Sequence, residues 1–380
     1  MPERRLVVKQ EFHKLLAGAL ALYALTPGWA LGKPVTDCPL RDAPFSAESP
    51  LIDILLNPQA KAILEKTSGR SFDKGPAAFV GTKPPTFAAI LTLRSAAMFT
   101  GLKPEALPDL DAELRRVPVT QADKIARCER YDNDVPKFAP GIGKPRILLF
   151  EKINGFRDSP SVDAAHAAFI AMGQRNGWSV ATTDKGGAIN ARTLKQFDVV
   201  VWNNISGDVL TLSQRKAFQK YIDGGGGFFA VHGSAGDPAY FWDWYADRLI
   251  GARFLAHPMA PQFQEARIVT DKAHLIAAGL PMEWKMTDEW YSFKTNPRSV
   301  GAKVILTLDE SSYSPVGPRG ADLKMGDHPL AWTNCVGKGR MFYSAIGHLP
   351  ETYIQPQHLA MLEAAMRWVA LDRKACAGNP

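Results

Sequence analysis

Three histidines far apart in the chain, His232, His257 and His348, and the adjacent carboxylates Asp288 and Glu289 are the residues of this 380-residue sequence best equipped for chemistry. An imidazole titrates near neutral pH and can pass a proton either way. Imidazole together with carboxylate also suits a divalent ion such as Zn, Mn or Fe. Their spacing matches no fixed metal motif, so three readings stand side by side. His232, His257 and His348 could hold a divalent metal, the same groups could do acid–base work without one, or the histidines could simply close turns. In the first two readings His232 and His348 act, and Asp288 or Glu289 is the supporting carboxylate.

Around them stand groups that could orient a ligand. Arg157 and Asn203 suit hydroxyls or oxyanions, and Asp237 shares a glycine-rich loop with His232. The flat faces of Trp242, Trp290 and Tyr291 could cover the apolar C–H surface of a sugar. Trp244 and Tyr245 read instead as packers, because a helix through Asp243 to Ile250 would bury one face. A nucleophile is harder to find. Ser234 lies only two residues from His232 in a tight turn, where the two side chains would face each other poorly, and no cysteine is near.

The elements that must position these groups are legible. Arg146 to Phe150, Trp178 to Thr182, Asp198 to Trp202, Phe228 to Val231, Lys303 to Leu308 and Arg340 to Ile346 are short apolar runs, the mark of strands covered on both faces. Helices separate the early ones. Ser159-Pro160 opens one that Asn176-Gly177 ends, and Thr211 with Gln214 forms a capping box for another that stops at Gly224. Another helix, from about Pro356 to Leu371, closes the fold. Alternating strands and helices predict a parallel sheet with crossover helices. Arg157 with Asp158, Asn203 with Asn204, His232, and His348 each follow one of these strands, so all should emerge at one edge, where open α/β sheets bind ligands.

From Gly224 to His232, Trp244-Tyr245, Leu249 to Phe254, His257-Pro258, Asp288 to Tyr291 and Gly339 to His348, the chain resembles the trehalose-utilisation protein A, or ThuA-like, family. The resemblance spans about Arg146 to Leu371. It implies a flavodoxin-like, doubly wound parallel sheet related to the class I glutamine amidotransferases, and a link to carbohydrate metabolism. It does not imply amidotransferase chemistry, which needs a thiolate at the strand-to-helix turn, where this chain has Ala230-Val231-His232-Gly233-Ser234. Asp158 and His274-Leu275 depart from the family pattern. The expected function is that of a hydrolase, lyase or isomerase for a sugar or a keto-sugar derivative; the alternative is a carbohydrate-binding protein without catalysis.

The remaining composition sets the frame. With 46% hydrophobic and 22% charged residues the chain is an ordinary globular protein. Its net charge is +7, of which Arg4, Arg5, Lys9 and Lys14 against Glu3 and Glu11 give +2, leaving 7 − 2 = +5 without a basic cluster. That argues against a nucleic-acid partner. The basic start, the apolar run Leu15 to Leu25 and the small residues Gly28 and Ala30 read as a signal peptide over 1–30, with the mature chain beginning near Leu31 in the periplasm or outside the cell. No later stretch has the length of a membrane span. Residues 31–140 read as a helical segment for packing or partner contact, with helices opening at Leu51, Gln59 and Phe87 and two more over Glu113 to Val117 and Thr120 to Tyr131. Residues 144–372 read as the α/β domain. Four cysteines in an exported chain predict disulfides, Cys38 with Cys128 and Cys335 with Cys376.

Overall fold

In the computed structural model residues 34–371 and Cys376 are described; the expected signal peptide and its cleavage point lie outside them. The helical segment contains α1 (Leu51–Leu56), α2 (Pro58–Ser68), α3 (Ala77–Val80), α4 (Leu93–Thr100), α5 (Leu107–Leu114) and α6 (Gln121–Cys128). Side-chain caps set its entries. Asn57 accepts from the Ala60 N–H ahead of Pro58, and Thr120 with Asp123 forms a capping box. Thr86 caps only the short turn Phe87–Ala89, and helix resumes at Leu93 under a second cap, Thr92. The helix expected to open at Phe87 is therefore only a short turn there, and the longer helix begins at Leu93. The helix expected over Glu113 to Val117 lies earlier, as α5, with Pro108 in its first turn, where the missing N–H costs nothing.

The segment closes its own core around Phe45, Ile54, Leu64, Leu93 and Leu114. Beside it the Asp53 carboxylate and the Arg130 guanidinium pair at 2.6 Å, both buried. A polar seam joins this segment to the α/β domain. Asp132 accepts from Lys152 Nζ at 2.7 Å and from the Gly186 and Gly187 N–H groups, and the Tyr131 hydroxyl donates to Asp208.

Beyond the seam run β1 (Arg146–Phe150), α7 (Ser159–Asn176), β2 (Ser179–Thr183), α8 (Ala191–Leu194), β3 (Val199–Asn203), α9 (Leu212–Asp223) and β4 (Gly227–Val231). The rest comprises β5 (Phe254–Ala256), β6 (Phe263–Thr270), β7 (Glu283–Glu289), β8 (Ser292–Phe293), β9 (Lys303–Leu308), β10 (Pro329–Val336), β11 (Gly339–Ser344) and α10 (Pro356–Leu371). Nine strands form one sheet in the order β2-β1-β3-β4-β11-β10-β9-β6-β7, and β5 pairs with β8 apart from it. From β2 to β11 every pairing is parallel, as the apolar runs predict. From β11 to β7 every pairing is antiparallel.

The antiparallel extension escaped the sequence because β7 alternates buried Trp284 and Met286 with exposed Glu283, Lys285 and Thr287. Such a strand lacks a continuous apolar run. Alternation of direction across these strands makes β7 run the same way as β11. Its C-terminal residue, Glu289, therefore leaves the sheet at the edge where β4 and β11 end.

Consecutive side chains on β4 serve opposite layers. Phe229 meets Phe169 of α7 edge-on at 5.6 Å, while Phe228 meets Phe218 of α9 at 5.3 Å. Each such buried ring contributes roughly 1.5–3 kcal/mol. The rigid central strands thus have fixed ends, which is what a site at those ends requires.

Both expected disulfides are present, Cys38–Cys128 and Cys335–Cys376, with sequence separations of 90 and 41. Non-reducing peptide mapping should recover these two pairs and no free thiol. Closing the longer loop stabilises by up to about 4 kcal/mol in the chain-entropy account. Replacing Cys38 and Cys128 by serine should accordingly lower the denaturant midpoint, and an unchanged midpoint would show that the bridge does not hold the helical segment.

Candidate active site

β4 ends in a sharp turn at His232, whose φ of +36° lies in the left-handed region. A non-glycine residue held there is uncommon and costs backbone strain. Two bonds bracket it. The Tyr343 hydroxyl donates to the His232 carbonyl at 2.8 Å, and His232 Nδ1 lies 2.8 Å from the Ala345 carbonyl. A carbonyl can only accept, so Nδ1 carries a proton, and Nε2 faces inward. Beyond β11, Gly347 takes a φ of +142°, and a Cβ there would lie 2.3 Å from the Tyr353 hydroxyl and 3.1 Å from His232 Cβ. Only glycine lets this loop pass so close to His232.

The turn after β11 is fixed by Asp288. Its fully buried carboxylate accepts from the backbone N–H groups of Gly347 at 2.6 Å, His348 at 3.1 Å and Leu349 at 2.9 Å. Burial pushes its carboxyl above the ordinary value, against the pull of His232 and these donors. Asp288 thereby carries the His348 backbone, and its oxygens are occupied in doing so.

Glu289 points the other way along β7 and is the centre of the cluster. Its Oε2 lies 3.0 Å from His348 Nδ1 and 3.4 Å from His232 Nε2, and its Oε1 lies 3.1 Å from His257 Nδ1. Gln262 Nε2 donates to Oε1 as well. His232 Nε2 and His348 Nδ1 are 3.2 Å apart, and the Tyr291 hydroxyl reaches Nε2 at 2.9 Å. Burial alone would raise the Glu289 carboxyl. Bonds from His232 and His348 and the charge of His257 outweigh it and hold the group well below the usual carboxylate range. Burial lowers His348, yet its bond to Glu289 and the charges of Glu289, Asp288 and Asp158 leave it raised. Burial and the Glu289 charge push the Tyr291 phenol far up, so it stays a donor.

His232, His257, His348, Glu289 and Tyr291 therefore meet at one place. The other residues expected there do not. Asn203 donates to Glu151 and Val162 and accepts from Asn204, which fills a structural role below the edge. Trp290 is fully buried with its N–H on the Gln264 carbonyl, and Trp242 stacks on Trp244 and Tyr245 under the Arg215 guanidinium. Asp237 binds the Ser206 hydroxyl at 2.6 Å and the Gly207 N–H at 2.7 Å. Arg157 lines a separate cleft of about 500 Å³ with Lys152, Asn154, Lys185 and, from the helical segment, Pro84 and Pro85. Ser234 is engaged with the Trp202 carbonyl and the Ile205 N–H.

Sequence reasoning overlooked three neighbours. Gln262 sits on Glu289, and the half-exposed rings of Phe156 and Phe263 flank His348 at 6.3 and 5.1 Å. Asp158, which caps α7, places Oδ2 4.0 Å from His348 Nε2. Only the position of Asp158 directly after Phe156-Arg157 signalled it. The helical segment also reaches this wall, since Phe87 stacks on Phe156 at 4.8 Å and the Thr86 N–H bonds the Asn154 carbonyl.

The profile of the ThuA family, described as trehalose utilisation, matches residues 146–369. The chain belongs to the ThuA family. Among solved structures, a putative ThuA-like protein from Bacteroides uniformis is 24% identical, with a TM-score of 0.52 over 62% of this chain and 95% of that one. A second, from Parabacteroides merdae, is 17% identical, with a TM-score of 0.46 over 60% and 90%. A glutamine amidotransferase from Thermotoga maritima is 10% identical, with a TM-score of 0.37 over 60% and 98%. No curated protein matches the sequence. The helical segment lies outside the ThuA match, although it packs against the loop that borders the histidines.

Burial raises the Asp237 carboxyl to about 7 from an ordinary 3.8, opposed by the Ser206 and Gly207 bonds. The folded chain therefore holds this proton where the unfolded chain has lost it. Linkage then requires stability to be fullest below pH 4 for this group, and to fall as pH rises from about 4 to about 7. Asp237→Asn should remove that slope from a plot of unfolding free energy against pH. An unaltered slope would mean that Asp237 is ionised in the native protein.

Proposed function

We propose that this ThuA protein is an enzyme for a sugar, or for an oxidised, carbonyl-bearing sugar derivative, and that its reaction takes place at the cluster of Glu289 with His232, His257 and His348. The observation that carries the proposal is a buried carboxylate kept ionised by three imidazoles, with a tyrosine hydroxyl beside it, at the edge where parallel strands deliver their ends. Perturbed ionisable groups of this kind concentrate at functional sites. Hydrolysis, elimination and isomerisation at a carbonyl-bearing sugar share two needs. Negative charge developing on a substrate oxygen must be stabilised, and a proton must move. The imidazoles and the Tyr291 hydroxyl supply the first, and His257, more open to solvent than His232, supports the second. Amidotransferase chemistry is not proposed, because His232 and Ser234 occupy the turn that would need a thiolate.

The family description, trehalose utilisation, supports the carbohydrate class. Half-exposed Phe156 and Phe263 beside His348 offer apolar faces to a ring. The cleft that Arg157 lines, of about 500 Å³, falls within the size range of small-molecule sites. Two disulfides fit an oxidising compartment, and among the described residues no helix is long and apolar enough to cross a membrane. We propose a periplasmic or secreted location, which the two disulfides support.

Product formation on a panel of disaccharides and keto-sugars, with binding followed in parallel, tests the reading. On the responding substrate, His348→Ala should lower turnover by about 10²–10⁴-fold with the melting temperature nearly kept. His232→Ala should do the same with some loss of stability, because Nδ1 also ties the turn to Ala345. Sugar binding without turnover would make the protein a carbohydrate-binding module instead. Turnover retained in both variants would dismiss the cluster as the reaction centre.

A further inference from the structure

We infer that His232 Nε2, His348 Nδ1 and Glu289 Oε2 form a three-ligand site for one divalent transition-metal ion, zinc being the best match. The inference rests on the reading of this cluster as the reaction centre and supplies its electrophile. Among the described residues this is the only group of three or more His, Cys, Asp or Glu side chains whose ligand atoms come close enough to share an ion, all within 4.8 Å. The three separations are 3.2, 3.4 and 3.0 Å. Ligands bound at about 2.0–2.1 Å in a tetrahedron stand about 3.3–3.4 Å apart, so these atoms already lie near the edges of a zinc site. Two imidazoles and one carboxylate also form the usual catalytic set, which leaves a fourth position for water or substrate.

The surroundings fit ligands held in place. Metal-bound histidines commonly donate their second N–H to a carbonyl or a carboxylate, which fixes ring and tautomer. His232 does so through Nδ1 to the Ala345 carbonyl. His348 Nε2 has the Asp158 carboxylate 4.0 Å away, as an electrostatic neighbour beyond hydrogen-bond reach, while its Nδ1 would give up its proton to the solvent and its lone pair to the ion. Glu289 is steadied on its other oxygen by Gln262 and His257, and its carboxyl is already ionised. Asp288 locks the His348 backbone through three N–H bonds.

One present contact must change. The Tyr291 hydroxyl lies 2.9 Å from His232 Nε2, and an ion bound there would take the Nε2 lone pair. The phenol is then released next to the open position, where it can donate to a substrate oxygen. Apart from the imidazole protons that the ion displaces to solvent, no covalent bond in the protein is made or broken.

The test uses the tag-free mature chain, stripped with a chelator and titrated with Zn²⁺ and, separately, Mn²⁺. Calorimetry and elemental analysis after dialysis should find one ion per chain, with zinc the tighter, and the ion should raise the melting temperature. His348→Ala and Glu289→Gln, each checked for fold by circular dichroism, should weaken binding by more than about 100-fold, beyond the loss typical of supporting groups. His166→Ala, at a half-exposed histidine paired with Glu151, should change nothing. Absence of a stoichiometric ion, or binding equal to wild type in both ligand variants, overturns the site. An ion bound as described in a protein that neither binds nor converts any sugar overturns the sugar reading and keeps the metal. Full sugar turnover by the stripped chain does the reverse.

Discussion

The structure depends on the cost of burying one carboxylate. An ionised Glu289 with almost no access to water is tolerable only if charge and hydrogen bonds replace its hydration. The chain assembles that replacement from distant parts: His232 from the end of β4, His257 from the loop after β5, Gln262 from the approach to β6 and His348 from the loop after β11. Removing one partner of such a set strands the rest. Glu289 is therefore both the electrostatic centre of the site and a tie among three loops, since His257 and Gln262 share the one between β5 and β6.

Several local features that would be penalties elsewhere follow from this constraint. His232 accepts a left-handed φ because only that turn brings Nε2 toward β7 while Nδ1 still reaches Ala345. Gly347 is needed because the His348 loop must lie against His232 and Tyr353 with no room for a side chain. Asp288 spends a buried carboxylate on three backbone N–H groups, a strong charge-assisted arrangement, and so holds the approach angle of His348 against thermal motion. Sites that must be precise are built on rigid elements with supporting bonds. Here the rigid element is the sheet edge, and the supporting bonds are those of Asp288, Ala345 and Tyr343.

Much of this could be read in the sequence, and what could not has a physical reason. The apolar runs of β1, β3, β4 and β11 announce buried parallel strands, and polar residues directly after them announce one shared edge. Those signals are local. Whether Asn203 or Asp237 faces the ligand or the core is decided by partners more than twenty residues away, Glu151 for one and Ser206 for the other, so residue type alone could not sort them. The aromatics misled for a related reason. Trp242 and Trp290 have the right chemistry for a sugar face, but large rings gain most by burial, and the loops bury them. The rings left half-exposed beside His348 belong to Phe156 and Phe263, which stand in segments with no other mark of function.

The antiparallel half of the sheet has a role that strand order makes plain. A purely parallel sheet could bring His232 and His348 together, since β4 and β11 are neighbours, but it would provide no carboxylate from the far side. Four alternating strands carry the chain away from β11 and return it in the same sense at β7, so that Asp288 and Glu289 leave at the same edge as the histidines. One of this adjacent pair then fixes the loop that bears His348, and the other meets its ring. Side chains alternate along a strand, so two successive carboxylates necessarily face opposite ways. That division of labour explains why the pair must be adjacent: a single acidic residue could neutralise the imidazoles or anchor their loop, but not both.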